Sequence, residues 1–141
     1  MKIYAALKED VNAGHVWLEK PGLPARCIVR IKNLQNGKSV YCESLQFEKN
    51  FLHEYEQGGR LKIDSPASSI VMSYWYRARL GGLETAYDYP LDVQAAWPIW
   101  GQLRACMHHP QIVARVAVWL GLLSVGLGLL GLVLAVCFAA K

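Results

Sequence analysis

The sequence predicts a mainly β domain with one or two short helices, followed by a single C-terminal membrane-spanning helix. Three observations carry that reading. Residues 2 to 8 and Thr85 to Val93 alternate apolar and polar side chains, an Asn36-Gly37 dipeptide joins two strand-like runs, and Val116 to Ala140 holds no charged residue. Period-two alternation marks half-buried strands, Asn-Gly marks tight hairpins, and a long uncharged apolar run marks a bilayer span. With the span set aside, about 110 of the 141 residues remain, near the common size for one core. The predicted division is a domain over 1–95, an interfacial linker over 96–111 and a transmembrane helix over 112–140.

Along the domain, Ile3, Ala5 and Leu7 share one side of a first strand, and the Asn12 to Gly14 turn leads to a second at His15 to Leu18. Lys20 to Pro24 is a loop. Taking Asn36-Gly37 as a two-residue turn pairs Ile31 with Cys42 and Arg30 with Glu43. Cys27, Val29, Ile31, Val40 and Cys42 then share an apolar face. A short helix is expected over Glu48 to Glu56, stopped by Gly58-Gly59, and a brief strand over Arg60 to Ile63. Ser65 and Pro66 suit a helix start, and Ile70, Val71, Tyr74, Trp75 and Ala78 follow helical spacing to Gly81-Gly82. The last strand is Thr85 to Val93, with Pro90 marking an edge or bulge.

Charge is informative by location. Residues 1 to 103 carry 12 Lys or Arg against all 11 Asp or Glu, so three of the four excess positive charges are Arg104, Arg115 and Lys141. A nearly neutral domain lacks the footprint of phosphate-backbone binding, and no nucleic acid partner is expected. No export signal is visible at the N-terminus. Arg104 and Arg115 precede the span and Lys141 alone follows it, which by the positive-inside bias places the domain in the cytoplasm. The expected location is the inner (plasma) membrane, crossed once.

Within the span, Ala114, Ala117, Gly121, Ser124, Gly128, Gly131 and Ala135 recur at steps of three and four. That stripe lets a second helix approach closely, so self-association through it is expected, with the lipid bilayer as the other partner. Trp97, Trp100, Arg104 and Arg115 read as membrane-interface residues, because indole joins an apolar body to a polar N–H. Tyr76, Arg77 and Arg79 form a candidate surface for an unidentified cytoplasmic protein or ligand, with Tyr74 and Trp75 assigned to the core.

The stretch from Val29 to Val40 resembles the opening hairpin of double-psi β-barrels of the rare lipoprotein A type. Arg60-Leu61-Lys62-Ile63-Asp64-Ser65-Pro66-Ala67 and the helix after it are similar to that family's strand, acidic turn and helix. The resemblance covers roughly residues 15 to 94 and implies a six-stranded double-psi-like barrel closed by the strand from Thr85. Peptidoglycan-cleaving members use two acidic residues. Here Gln46 stands where the first would be, and only Asp64 keeps the second position, so acid and base roles cannot be divided between two carboxylates. Asp64 is more simply a cap or turn residue.

Other candidate chemistry is sparse. Cys27, Cys42, Cys106 and Cys137 lack metal spacing, and His15 and His53 are isolated. His108-His109 precede Pro110 at the membrane edge, and neither metal nor cofactor is expected. The leading expectation is a non-catalytic anchored binding module that self-associates. Two alternatives stand beside it: a membrane-disrupting oligomeric pore, and an exported peptidoglycan-processing enzyme.

Overall fold

The computed structural model describes residues 1–57 and 61–139. Among them are six strands: β1 (Lys2–Ala5), β2 (His15–Leu18), β3 (Arg26–Asn33), β4 (Ser39–Gln46), β5 (Ser69–Met72) and β6 (Leu91–Ala95). They form one curled sheet in the order β1-β5-β2-β4-β3-β6. Four α-helices accompany it: α1 (Lys49–Gln57), α2 (Tyr74–Arg79), α3 (Pro98–Met107) and α4 (Ile112–Ala139). The expected class, mainly β with six strands, few short helices and one long apolar helix, is the class observed.

The curl brings the two edge strands back toward each other. Residues just before β6 hydrogen-bond to β1: Ile3 N–H donates to Tyr87 at 3.1 Å and Ala86 N–H to Ile3 at 2.8 Å. Tyr89 N–H adds a bond to the Met1 carbonyl at 3.0 Å. Ala86 makes this path with φ of 69°, a left-handed conformation that costs an L-residue about 1–2 kcal/mol. The expected strand from Thr85 is therefore two segments, a short β1-facing stretch and β6, which pairs with β3. Pro90 sits between them, where no ladder N–H is needed.

Inside the curl every strand contributes to one core: Ile3, Val16, Leu18, Val29, Ile31, Val40, Cys42, Ile70, Met72 and Val93 pack with Tyr76, Leu80 and Leu83. Burial pushes the Cys42 thiol pKa well up, so it packs as a neutral apolar group. Outside the curl, α1 lays Phe51 and Tyr55 over Tyr4, Val71 and the half-buried Trp17. Phe51 stacks on Trp17 at 4.1 Å between ring centroids. Strand β1 is thus buried on both faces, Ile3 in one core and Tyr4 in the other.

Three local expectations change. The helix expected from Ser65 to Ala78 is broken: Pro66–Ser68 is a 3-10 turn, Ser69–Met72 is β5, and only α2 is helical. All four β5 residues are buried, because the strand lies between β1 and β2 with cores on both sides, and such a strand shows no polar alternation. The hairpin register is shifted by two: Ile31 pairs with Val40, Arg30 with Tyr41 and Val29 with Cys42. Its loop has four residues, closed by Asn33 N–H to Lys38 and Gly37 N–H to Asn33, both at 2.9 Å. A two-residue shift preserves the faces, so the apolar set is as expected, while Glu43 lies opposite Ile28 and forms its ion pair with Arg26 rather than Arg30. The loop is held by Asn33 and Asn36, whose amides donate to Leu80 C=O at 3.0 and 2.9 Å, beside Gly81 at φ 114°. Third, residues 61–63 are not a strand, although Ile63 is buried. The Gly58-Gly59 stop and Arg60 lie outside the described residues.

Candidate functional site

The best-defined polar cluster lies where the sheet, α2 and α3 meet the start of α4. Helix α3 opens with Pro98 at a position that needs no N–H partner. It lies against β3 and β4, and Gly101 is the contact point: a Cβ there would stand 2.6 Å from the Ala96 Cβ and 3.5 Å from Ile28. A turn at 108–111 then leads into α4.

His108 ties the elements together. Its Nδ1 accepts the Tyr41 N–H at 3.0 Å, which puts the ring proton on Nε2, and its carbonyl accepts the Trp75 indole N–H at 2.8 Å. Burial, with Arg79 and Arg104 nearby, lowers the His108 pKa below its ordinary value. The Trp75 ring has the Arg79 guanidinium 4.9 Å and the Arg115 guanidinium 4.6 Å from its centroid. Arg104 stands 5.1 Å from the Tyr41 ring centre and donates to its hydroxyl at 2.7 Å. Arg115 also donates to the His109 carbonyl at 2.9 Å. Among the described residues, none of Arg79, Arg104 and Arg115 has a carboxylate ion-pair partner. The fold therefore gathers three guanidiniums from α2, α3 and α4 at the foot of the apolar helix.

Beside this cluster is a cleft of about 160 Å³ lined by Arg30, Tyr41, Gln94, Trp97, Trp100 and Arg104. Trp97 and Trp100, read as interface residues, are 75% and 65% exposed. Their indole N–H groups have no protein acceptor among the described residues, whereas Trp17 donates to Asp10 and Trp75 to His108.

The candidate partner surface needs correction at Tyr76. It is fully buried and donates its hydroxyl proton to Gly14 C=O at 2.9 Å, while Tyr74, assigned to the core, is exposed. Because β5 occupies 69–72, α2 starts at Tyr74 and turns Tyr76 inward. Arg77 is half-buried and donates to Leu83 C=O at 3.3 Å, so of that trio only Arg79 is exposed.

Asp64 is exposed in a bend. Gln46 is structural: it accepts Lys20 N–H at 3.1 Å and donates to the Lys20 and Leu23 carbonyls, clamping the loop before β3. Among the described residues no group of three or more His, Cys, Asp or Glu is placed to hold a metal ion. Along α4, Ala117, Gly121, Ser124, Gly128, Gly131 and Ala135 are all exposed, with Ala114 partly covered near the domain. A Cβ placed at Gly121, Gly128 or Gly131 meets nothing within 4 Å. Ser124 donates to its own helix, to Leu120 C=O at 2.9 Å.

Trp97, Trp100, Arg104 and Arg115 are expected here from the sequence, whereas Tyr41, Trp75 and His108 are not. The alternating strand and short helix that carry Tyr41 and Trp75 read as ordinary core elements. Their convergence on His108 is a long-range event without a local signal.

The fold and junction define a small curled β domain carrying one helix long and apolar enough to cross a membrane. No family model and no curated protein sequence matches the chain. Among solved structures it is similar to the rationally designed mkDPBB_sym2, at 20% identity over 67% of this chain and 94% of that chain, with a TM-score of 0.47. It is also similar to the rationally designed apDPBB_sym_79, at 20% identity over 69% and 96% of the two chains, with a TM-score of 0.48. Both are designed double-psi β-barrels.

Proposed function

We propose that the protein is a non-catalytic, single-pass membrane protein whose β domain sits in the cytoplasm as a binding module while α4 self-associates in the inner membrane. The observation that carries this reading is the small-residue stripe of α4, which meets no other part of the described chain below Ala114. In lipid, apolarity alone gives helices no reason to pair, and close approach through Gly, Ala and Ser supplies the packing that does. Arg104 and Arg115 lie just before or at the start of the span and Lys141 alone follows it, the charge bias expected of a cytoplasmic domain. Gln46 is committed to its loop, which speaks against an exported hydrolase, and Ser124 is bonded within its own helix, which offers a pore little polar lining.

Replacing Gly121, Gly128 and Gly131 together by Ile is expected to abolish self-association in a membrane two-hybrid assay while membrane insertion is retained. An unchanged signal would overturn the self-association reading. Reporter fusions at each terminus test the orientation, and a periplasmic N-terminus would reverse it.

A further inference from the structure

Resting on that membrane-anchored reading, we infer that the cleft between α3 and the β3–β6 edge is a stoichiometric site for the phosphate of an anionic lipid. The charge is right for one phosphodiester. Arg30 lies 3.8 Å from Asp92 and donates to Gln94 Oε1 at 3.1 Å, while Gln94 Nε2 donates to Asp92 at 2.9 Å, so this arginine is largely compensated. Arg104 has no such carboxylate among the described residues and leaves one uncompensated positive charge. Its contact with Tyr41 also orients a donor. The Tyr41 hydroxyl accepts from Arg104 at 2.7 Å, which leaves its own proton to donate outward, next to the remaining guanidinium N–H groups.

The size and rim select a lipid rather than a dissolved metabolite. At about 160 Å³ the cleft falls below the roughly 300–1,000 Å³ usual for whole small molecules, so it takes a headgroup and leaves the rest outside. Trp97 and Trp100 form its outer wall at 75% and 65% exposure, and Ile99, between them in sequence, is 74% exposed, a rim suited to glycerol and the upper acyl chain. The uncommitted indole N–H groups suit the same level of the bilayer. The helix that carries this rim is α3, which the 108–111 turn joins directly to α4. A phosphate here would be held partly out of water, where a guanidinium hydrogen bond gains strength.

The test is native mass spectrometry of the full chain released from nanodiscs of mixed phosphatidylglycerol and phosphatidylcholine. The expected result is one retained phosphatidylglycerol per chain, reduced about tenfold in Arg104→Gln, the loss of a charge-assisted hydrogen bond. Trp97→Ser, which removes an exposed indole that makes no hydrogen bond and keeps the backbone carbonyl that accepts Gly101 N–H, should also lower retention and leave the fold undisturbed. Equal retention of phosphatidylcholine, or retention unchanged in both variants, would overturn the site. Competition by free glycerol phosphate at equal concentration would overturn the lipid as its source. Self-association is read separately in the two-hybrid assay, where Arg104→Gln should give the wild-type signal, so the two readings fail independently.

Discussion

Leu18 in β2 and Leu130 in α4 are the same side chain in opposite settings: the first is fully buried, the second is 55% exposed. The contrast holds across the two regions. In the domain, Ile, Val and Leu meet each other inside the curl, and Asn33, Gln46 and Tyr76 donate to backbone carbonyls across long sequence separations. In α4, the apolar side chains face outward along the whole helix and Ser124 bonds only to its own turn. One region buries its apolar side chains within itself. The other leaves its apolar side chains exposed to a medium or partner of the same character.

The comparison breaks first on leucine. Leu18→Ala is expected to lower domain stability by about 2–5 kcal/mol, because it removes buried methyl groups and leaves a cavity. Leu130→Ala should change it by less than about 0.5 kcal/mol. Urea unfolding of the full chain in detergent micelles, followed by near-ultraviolet circular dichroism, measures both. Similar losses for the two variants would show that α4 packs on the domain.

A smaller effect tests the polar side. Tyr76→Phe keeps the ring but leaves Gly14 C=O with only the Glu43 N–H at 3.4 Å, and should cost about 1–3 kcal/mol in the same titration. No change would mean that the hydroxyl is incidental to the core.

The smallest effect concerns the junction. The His108 pKa is lowered in the folded state, so below its unfolded value near 6.5 the unfolded chain binds the proton more readily. Its contribution is fully present above that pH, and stability declines as pH falls from about 6.5 toward the lowered folded value. Protonating Nδ1 also removes the acceptor for Tyr41 N–H. The urea midpoint between pH 7.5 and 5 should fall more steeply in the wild type than in His108→Asn. Parallel profiles would sink the role given to His108.

Several parts were legible because their signals are local. The span shows as an uncharged apolar run, and the β3–β4 faces show because alternation survives a two-residue shift in register. Helix α1 was legible as the expected short helix over Glu48 to Glu56. Strand β5 was not: Ile70, Val71 and Met72 are apolar on both faces, and a short apolar run fits strand or helix equally until its neighbours are known. That error carried Tyr76 to the wrong side of α2. The candidate site was half legible, since Trp97, Trp100, Arg104 and Arg115 flank the span in sequence, while Tyr41, Trp75 and Arg79 reach it from elsewhere.

By itself the amino-acid order determined the apolar helix with its stripe of small residues, the neutral mainly β domain before it, and the excess of positive charge between them. Periodicity, composition and charge are properties of neighbouring residues, so they survive without knowledge of the fold. Tertiary structure alone decided the central place of β5, the inward turn of Tyr76, and the meeting of Arg79, Arg104 and Arg115 around Trp75 and His108. Those depend on which distant segments share a core, and burial on two faces erases the very alternation that would have announced them.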